Sequence, residues 1–232
     1  MLVPYLGEKS KFASFITPYI PNDISTYVEP FGGMFGVFFS LDFTKYKNVK
    51  FVYNDVNELN YVLFKNLKTP EFIELVKSTT VTKEVYLESL KNLFKEKDEM
   101  LIALNWLIIL TCSSPYEIGK DSWRNNSEFE IFKMKYKAYK LDYKEVIEMY
   151  DSESTLFYVD PPYMGKEDYY INHDFNKKTH QELADVLNNI KGRFILSYYY
   201  FDGLKQLYPN CTIEKKMTLM GTEYIIMNYK LY

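Results

Sequence analysis

The clearest chemical signal in the chain is Asp160-Pro161-Pro162-Tyr163, which directly follows the apolar run 156–159. A carboxylate at the end of a buried strand accepts hydrogen bonds from an amine, and the backbone carbonyl of Pro161 can accept another. The prolines lack an N–H group and restrict φ, so the turn is held open and offers acceptors alone. The ring of Tyr163 can stack on a planar partner. The motif predicts a site for a planar heterocycle with an exocyclic amine, the alternative being an ordinary proline-rich turn.

A second group of candidate residues follows the strand predicted at 25–28, where the segment 29–36 has the sequence EPFGGMFG. Glycines at the end of a strand let backbone amides approach a ligand closely, although tight turns without function share this pattern. The spacing is not the G-x-G-x-x-G of dinucleotide-binding sites. Asp55 follows the strand predicted at 49–53, where it can accept hydrogen bonds from both hydroxyls of a ribose or cap the next helix. Together these features predict a ligand that contains adenosine but no pyrophosphate.

The elements that must position these residues alternate between strands and helices. Strand, glycine-rich turn, helix, strand, acidic end and helix is the order found in half of a doubly wound α/β sheet. The predicted strands lie at 25–28, 49–53, 155–159, 194–198, 211–218 and 223–229. The helices predicted around them lie at 12–20, at 37–43, from 58 onward, at 178–190 and at 202–207. The last two strands read as an antiparallel hairpin, so the predicted fold class is α/β with a mainly parallel, doubly wound sheet.

Residues 69–150 differ in character from the rest of the chain. Their predicted helices lie at 71–78, 82–94 and 99–111, and a segment rich in lysine and aromatic residues follows. We therefore expect the sheet domain to comprise residues 1–68 and 151–232, with 69–150 as a helical insertion. A chain of 232 residues is long enough for one domain with an insertion or for two small domains.

Composition excludes several classes of protein. The net charge is −3, so there is no global basic field, and any nucleic-acid contact must come from local patches. The longest apolar run, 101–110, is too short to span a bilayer, and we expect no membrane partner. Cys112 and Cys211 lack the spacing of metal ligands or of a disulfide framework, and His173 and His180 suggest no metal pair. We expect a cytoplasmic protein without a signal peptide and without a metal.

Several further motifs accompany these residues in a fixed order. They are Tyr5-x-Gly7-x-Lys9, Val28-Glu29-Pro30-Phe31-x-Gly33, an acidic strand end, the helical insertion, Asp160-Pro161-Pro162-Tyr163, the helix at 175–187 and the strand at 223–229. This order resembles the Dam-type, or D12, class of adenine-N6 DNA methyltransferases. The resemblance implies a Rossmann-like methyltransferase sheet, S-adenosylmethionine as cofactor, double-stranded DNA as substrate and direct transfer to a flipped adenine at a short specific sequence. It also suggests a cognate restriction endonuclease as a partner, while the oligomeric state stays open.

The same resemblance implies roles for single residues. It places S-adenosylmethionine among the cofactor-binding candidates Tyr5, Lys9, Glu29, Pro30, Phe31, Gly33, Asp55 and Asp160. It assigns the target adenine to the catalytic candidates Asp160, Pro161, Pro162 and Tyr163. Related enzymes acting on cytosine N4 often have serine at the position of Asp160, and glutamine-modifying relatives have asparagine, so adenine N6 is the favoured acceptor. The insertion becomes the target-recognition module.

Two features depart from the pattern of that family. Phe35 stands where the F-x-G-x-G turn of the family has its second glycine, with Gly36 one position later. A non-catalytic binding protein on the same fold, with cofactor capture impaired by Phe35, is therefore one alternative. The insertion also lacks the Asn/Gly-rich recognition loop of the family, and only the segment 123–129 resembles its Arg-x-Asn and Glu-Phe elements. A further alternative is methylation of RNA or of single-stranded DNA.

Candidates for DNA contact lie mainly in the insertion. Arg124 is one of two arginines in the chain, and arginine on guanine is the commonest specific base contact. A helix predicted at 132–140 would align three lysines at i, i+4 and i+7 toward phosphates, or simply toward solvent; they are Lys133, Lys137 and Lys140. Tyr116 can wedge into the base stack or pack in the core. Lys177 and Lys178 are further phosphate candidates.

Overall fold

The computed structural model describes residues 10–114, 118–125, 135–164, 175–218 and 221–230. The strands are β1 (Thr26–Glu29), β2 (Lys50–Asn54), β3 (Lys137–Tyr139), β4 (Thr155–Val159), β5 (Arg193–Tyr199), β6 (Thr212–Thr218) and β7 (Gly221–Met227). The helices are α1 (Ser10–Ile16), α2 (Glu58–Asn66), α3 (Pro70–Ser78), α4 (Lys83–Asn92), α5 (Glu99–Cys112), α6 (Tyr143–Tyr150), α7 (Lys177–Asn189) and α8 (Leu204–Leu207). Short 3-10 helices lie at Thr17–Tyr19 and Phe38–Ser40.

These strands form one sheet in the order β3-β2-β1-β4-β5-β7-β6. Neighbouring strands from β3 to β5 are parallel, whereas β7 pairs in antiparallel fashion with both β5 and β6. The C-terminal hairpin therefore lies at one edge of the sheet and β3 at the other. This arrangement confirms the predicted α/β class with an antiparallel C-terminal hairpin.

Helices cover both faces of the sheet, which is why its central strands are apolar throughout. All five residues of β4 are buried. Leu156 and Tyr158 belong to the hydrophobic core of one face, and Phe157 and Val159 belong to the core of the other face. The first core receives side chains from α1 through α5, and the second receives them from α6, α7 and α8. The sheet is thus doubly wound.

Side-chain caps explain where the helices α3, α4 and α5 begin. Thr69, Thr82 and Asp98 each accept a hydrogen bond from a backbone N–H in the first turn of α3, α4 and α5, respectively. These three helices end within two residues of their predicted bounds. The helix expected at 37–43 is instead the 3-10 turn Phe38–Ser40. None of the described helices is both long and apolar enough to cross a membrane.

The largest difference from the sequence prediction lies within 132–140. Residues 137–139 form the edge strand β3 and not a helix, because their backbone pairs with β2. Just before the strand, the buried Tyr136 hydroxyl donates to the carbonyl oxygen of Phe64 at 2.8 Å. The predicted helix is wrong at this position, and Lys137 and Lys140 share no helical face. Helix α6 then connects β3 to β4, so the end of the predicted insertion packs into the main sheet.

Candidate active site

Three acidic residues meet at the carboxyl edge of the sheet. Glu29 ends β1, Asp55 follows β2, and Asp160 follows β4. Because β1 lies between β2 and β4 and all three strands are parallel, their carboxyl ends lie side by side. Strand β2, which follows β1 along the chain, lies on one side of β1, and β4 lies on its other side. This edge is therefore a topological switch point, where parallel sheets usually hold ligands.

The turn after β1 needs glycine at two adjacent positions, for different reasons. A Cβ atom at Gly32 would lie 2.3 Å from Cε2 of Tyr53, because the Gly32 amide donates to the carbonyl oxygen of Asn54 at 2.7 Å. Gly33 has a φ of 48°, in the left-handed region that favours glycine. Its amide donates to Oδ2 of Asp55 at 2.9 Å. The turn is thereby fixed to the end of β2.

Phe35, the departure from the family turn, also has a left-handed backbone, with a φ of 56°. Its ring is fully buried and stacks on that of Phe38 at a centroid distance of 4.0 Å. Other aromatic rings of the core meet it edge-on; they belong to Phe39, Tyr53, Phe64 and Tyr136. The backbone conformation expected of the glycine is thus retained, and the phenyl group lies in the core.

The carboxylate of Asp55 is held from several sides, and the residue is 8% exposed. Its Oδ2 accepts from the Gly33 amide and from Nδ2 of Asn60 at 3.1 Å, and its Oδ1 accepts from the Asn57 amide at 2.8 Å. Oδ1 of Asn60 accepts in turn from Nε1 of Trp106 at 3.0 Å. The N-cap of α2 is Asn57, so the capping role considered for Asp55 belongs to Asn57.

Glu29 is almost fully buried beneath the turn. Its Oε1 accepts hydrogen bonds from the Tyr27 hydroxyl at 2.7 Å and from the Phe38 amide at 3.0 Å. Burial raises the pKa of Glu29 well above its ordinary value, and the nearby charge of Asp160 adds to the rise. The two hydrogen bonds act in the opposite direction but do not outweigh burial. Through these hydrogen bonds, Glu29 connects β1, which contains Tyr27, with the start of the 3-10 helix at Phe38.

The Asp-Pro-Pro-Tyr turn is compact. Both prolines and Tyr163 are buried, while Asp160 is partly exposed. The Tyr163 hydroxyl donates to Oδ1 of Asp160 at 3.0 Å. The ring of Tyr163 stacks on that of Tyr198, with centroids 5.3 Å apart and planes inclined by 25°, and meets Tyr199 edge-on at 4.7 Å. The tyrosine that the sequence assigns to a bound base is therefore supported by a second ring from the end of β5.

Comparison with the sequence patterns of known protein families shows which family the chain belongs to. The sequence pattern of the D12 class of N6 adenine-specific DNA methyltransferases matches residues 5–141 and 113–221. The chain belongs to this family. It is an adenine-specific DNA methyltransferase, and its substrate is DNA.

Individual relatives of the methyltransferase are distant. The type II methyltransferase M.CviBI of Paramecium bursaria Chlorella virus NC1A is 23% identical over 231 residues, which cover 89% of this chain and 85% of that protein. Two structures of the rRNA methyltransferase aviRa from Streptomyces viridochromogenes are also similar. The first has a TM-score of 0.42 and 12% identity, covering 94% of this chain and 83% of that one. The second has a TM-score of 0.39 and 11% identity, covering 94% and 82%.

Arg124 of the methyltransferase lies exposed on a loop that is fixed at its base. Its amide donates to the carbonyl oxygen of Cys112 at 2.7 Å, and Ser113 forms an isolated β-bridge with Trp123. The Trp123 ring lies 5.3 Å from that of Tyr86. The loop therefore extends directly from the end of α5.

Lys137 and Lys140, which were predicted to contact DNA from one helix, do not lie on a helix. Lys137 is exposed on β3, and Lys140 follows the strand and forms an ion pair with Glu58. Lys177 and Lys178 are exposed in the first turn of α7. The remaining candidates lie outside the described residues; they are Tyr5, Lys9, Tyr116 and Lys133.

Four polar side chains near the site were not predicted to belong to it. Asn60 and Trp106 connect Asp55 to α5, and Tyr198 and His180 lie behind Tyr163. The sequence feature that could have indicated Tyr198 is the run of three tyrosines at 198–200. Among the described residues, no cluster of three or more His, Cys, Asp and Glu side chains could hold a metal ion.

Proposed function

We propose that the enzyme transfers the methyl group of S-adenosylmethionine to N6 of an adenine that is flipped out of double-stranded DNA at a short specific sequence. One observation carries this proposal. The glycine-rich turn follows β1, and Asp55 and the Asp160 motif follow the strands on either side of β1, at a single switch point of the sheet. A methyl donor held by the first and an amine held by the second would be adjacent, as direct transfer requires.

The residues present fit this cofactor. A Cβ atom added at Gly33 would meet no atom within 4 Å, so there is open space over the turn. The carboxylate of Asp55 lies beside it and suits the hydroxyls of a ribose. S-adenosylmethionine, when bound, supplies a methyl group activated by a sulfonium. The residues proposed to hold it are Glu29, Pro30, Phe31, Gly33, Asp55 and Asp160, together with Tyr5 and Lys9.

The Asp-Pro-Pro-Tyr turn is proposed to orient the acceptor amine. Asp160 and the carbonyl oxygen of Pro161 would accept both N6 hydrogens, so that the nitrogen lone pair is free to attack the methyl carbon. The carboxylate also stabilises the positive charge that develops on N6 as the new bond forms. Pro162 fixes the turn, and Tyr163 provides an aromatic surface for the base.

No covalent intermediate with the protein is needed, and neither cysteine suits one. Cys112 is fully buried in the core. Burial raises the pKa of Cys211 to about 11, so its thiol stays protonated near neutral pH and is a poor nucleophile. Direct displacement by N6 is therefore the proposed route.

Target recognition is proposed to reside in residues 69–150, with 137–150 also completing the sheet. The exposed Arg124 would read a guanine, and Tyr116, Lys133, Lys137 and Lys140 would contact the surrounding DNA. A cognate restriction endonuclease is a proposed partner, supported by the type II designation of the viral relative. The proposed location is the cytoplasm.

Methyl incorporation tests the proposed function. Purified enzyme is incubated with labelled S-adenosylmethionine and duplex DNA that lacks N6-methyladenine, with single-stranded DNA and RNA in parallel. We expect N6-methyladenine in the duplex by mass spectrometry, and sequencing then gives the recognition site. Label confined to RNA, or found on another base, would refute the proposal.

Asp160→Ala is the first variant to measure. Removing the carboxylate should lower the rate of transfer by about 100-fold or more, since a charge-stabilising group facing the reacting atom is lost. The fold should persist, because Asp160 is partly exposed and lies beyond the last residue of β4. Circular dichroism controls for folding, and near-normal turnover in this variant would contradict the assigned role.

A further inference from the structure

Two of the contacts that hold Tyr163 in place have different chemistry. Its hydroxyl donates to Oδ1 of Asp160 at 3.0 Å, and its ring stacks on Tyr198. The first contact orients the carboxylate proposed to bind the adenine amine. The second determines where the ring of Tyr163 lies, and hence where its hydroxyl points. Tyr198 is therefore linked to Asp160 through Tyr163.

Tyr198 is itself fixed by a partner on the neighbouring helix. It is 2% exposed, and its hydroxyl forms a hydrogen bond with Nδ1 of His180 in α7, which is also 2% exposed. The His180 ring packs edge-on against Phe175 with centroids 4.8 Å apart. A buried hydroxyl and a buried imidazole are costly to leave without partners, so this pair gives Tyr198 a defined orientation.

We propose that His180 and Tyr198 are positioning residues for methyl transfer. They hold the ring of Tyr163 so that its hydroxyl orients Asp160 and its ring stays available to the flipped adenine. The order of contacts is His180, Tyr198, Tyr163 and Asp160, which joins α7 to the turn after β4 through the end of β5. This inference rests on the proposed function, because it assigns the contacts to that reaction.

Three substitutions separate positioning from simple packing. Tyr198→Phe keeps the ring and removes the hydroxyl, and His180→Leu removes both ring nitrogens. His180→Asn places an amide near the position of Nδ1 and can restore the hydrogen bond. We expect kcat to fall about tenfold in the first two variants and to recover in the third, since small displacements of a reacting group are costly. The KM for DNA and the Kd for S-adenosylmethionine should change by less than about twofold, because the groups proposed to bind them are unaltered.

Tyr46→Phe is the matched control. It also removes a buried tyrosine hydroxyl, one that donates to the carbonyl oxygen of Ile20 at 3.1 Å in the core. Melting temperatures are measured for all variants, and kinetics are compared well below them. The control should lose stability but keep kcat, whereas Tyr198→Phe should lose kcat.

Fluorescence of 2-aminopurine at the target position supplies a readout besides turnover. A flipped base stacked on Tyr163 is quenched, so emission in the complex should be higher for His180→Leu than for the wild type. Unchanged kcat and unchanged emission in His180→Leu and Tyr198→Phe, with an active wild type, would overturn this inference alone. A wild type that does not methylate adenine would overturn the proposed function and this inference with it.

Discussion

Two glycines at the site differ in what they contribute, although they are adjacent. Gly32 is required by lack of space against Tyr53, whereas Gly33 is required by its backbone angle. Phe35 shows that a left-handed residue of this turn need not be glycine when its side chain is buried well. A left-handed conformation costs a residue with a side chain about 1–2 kcal/mol. A side chain introduced at position 33 would face open space, so no burial would offset that cost.

Gly33→Ala should therefore destabilise the protein by about 1–2 kcal/mol without any steric clash. It should also weaken S-adenosylmethionine binding, because relaxation of the turn moves the amide that donates to Asp55. Urea denaturation and calorimetry measure the two effects. Gly33→Asn is the matched variant and should be milder, since asparagine tolerates this region. Equal losses for alanine and asparagine would argue against backbone strain as the cause.

The buried carboxyl group of Glu29 should give the stability of the protein a distinct pH dependence. In the folded state its pKa lies well above the usual 4.5, so over the interval above 4.5 the folded protein keeps a proton that the unfolded chain has released. The free energy of unfolding must then fall as pH rises through that interval. Glu29→Gln keeps an acceptor for Tyr27 and Phe38 but cannot ionise. Its stability relative to wild type should improve as pH increases from 4.5, measured by denaturation; parallel curves would contradict this.

At the scale of elements, α2 joins the predicted insertion to the cofactor side of the site. Asn60 on α2 donates to Asp55 and accepts from Trp106 on α5. The orientation of the Asp55 carboxylate, which is proposed to bind ribose, therefore depends on the position of α5. The same helix α5 ends at the loop that carries Arg124. The proposed DNA contact and the proposed cofactor contact are therefore both linked to α5.

Asn60→Leu should lower the affinity for S-adenosylmethionine by about tenfold, the usual effect of losing a hydrogen bond to a charged group. Asn66→Leu is the matched control, since Asn66 is also buried on α2 but donates to the carbonyl oxygen of Val62. It should destabilise the fold and leave cofactor affinity unchanged. Calorimetry at equal folded fraction measures both, and equal affinities in the two variants would contradict the link.

The elements around the site could be predicted because buried parallel strands are continuous apolar runs and their ends carry glycine or acid. Strand β3 could not, since three residues are too few for a periodic pattern and its place depends on Tyr136 reaching Phe64 far along the chain. The stacking of Tyr163 on Tyr198 also joins distant segments. Nor did the sequence reveal the orientation of Phe35, because its left-handed backbone is unusual for a phenylalanine.

At the scale of the whole molecule, a net charge of −3 leaves DNA recognition to a few local groups. Arg124 is the exposed member of the two arginines, and Arg193 is used elsewhere: its Nη1 lies 2.8 Å from Oδ1 of Asp23, at the amino edge of the sheet. Arg124 is thus the arginine that is available for a specific contact with a base.

Arg124→Ala should relax the base preference at one position of the target by roughly 1–3 kcal/mol, the value of a bidentate contact. Arg124→Lys keeps the charge and loses the planar fork, so it should preserve DNA affinity better than it preserves specificity. Methylation of a randomised site library, analysed by sequencing, measures both. An unchanged rate and an unchanged preference in Arg124→Ala would exclude the contact.

The unequal placement of the two arginines makes the protein a simple subject for chemical footprinting. Arg193 has a side chain that is 23% exposed and ion-paired, with its guanidinium 5.9 Å from the Tyr229 ring, whereas Arg124 is exposed. A dicarbonyl reagent selective for guanidinium groups should modify Arg124 first. A single mass increment on the intact chain would then report the state of the segment that carries Arg124, and its suppression by duplex DNA would place bound DNA near this residue on the native, unmutated enzyme.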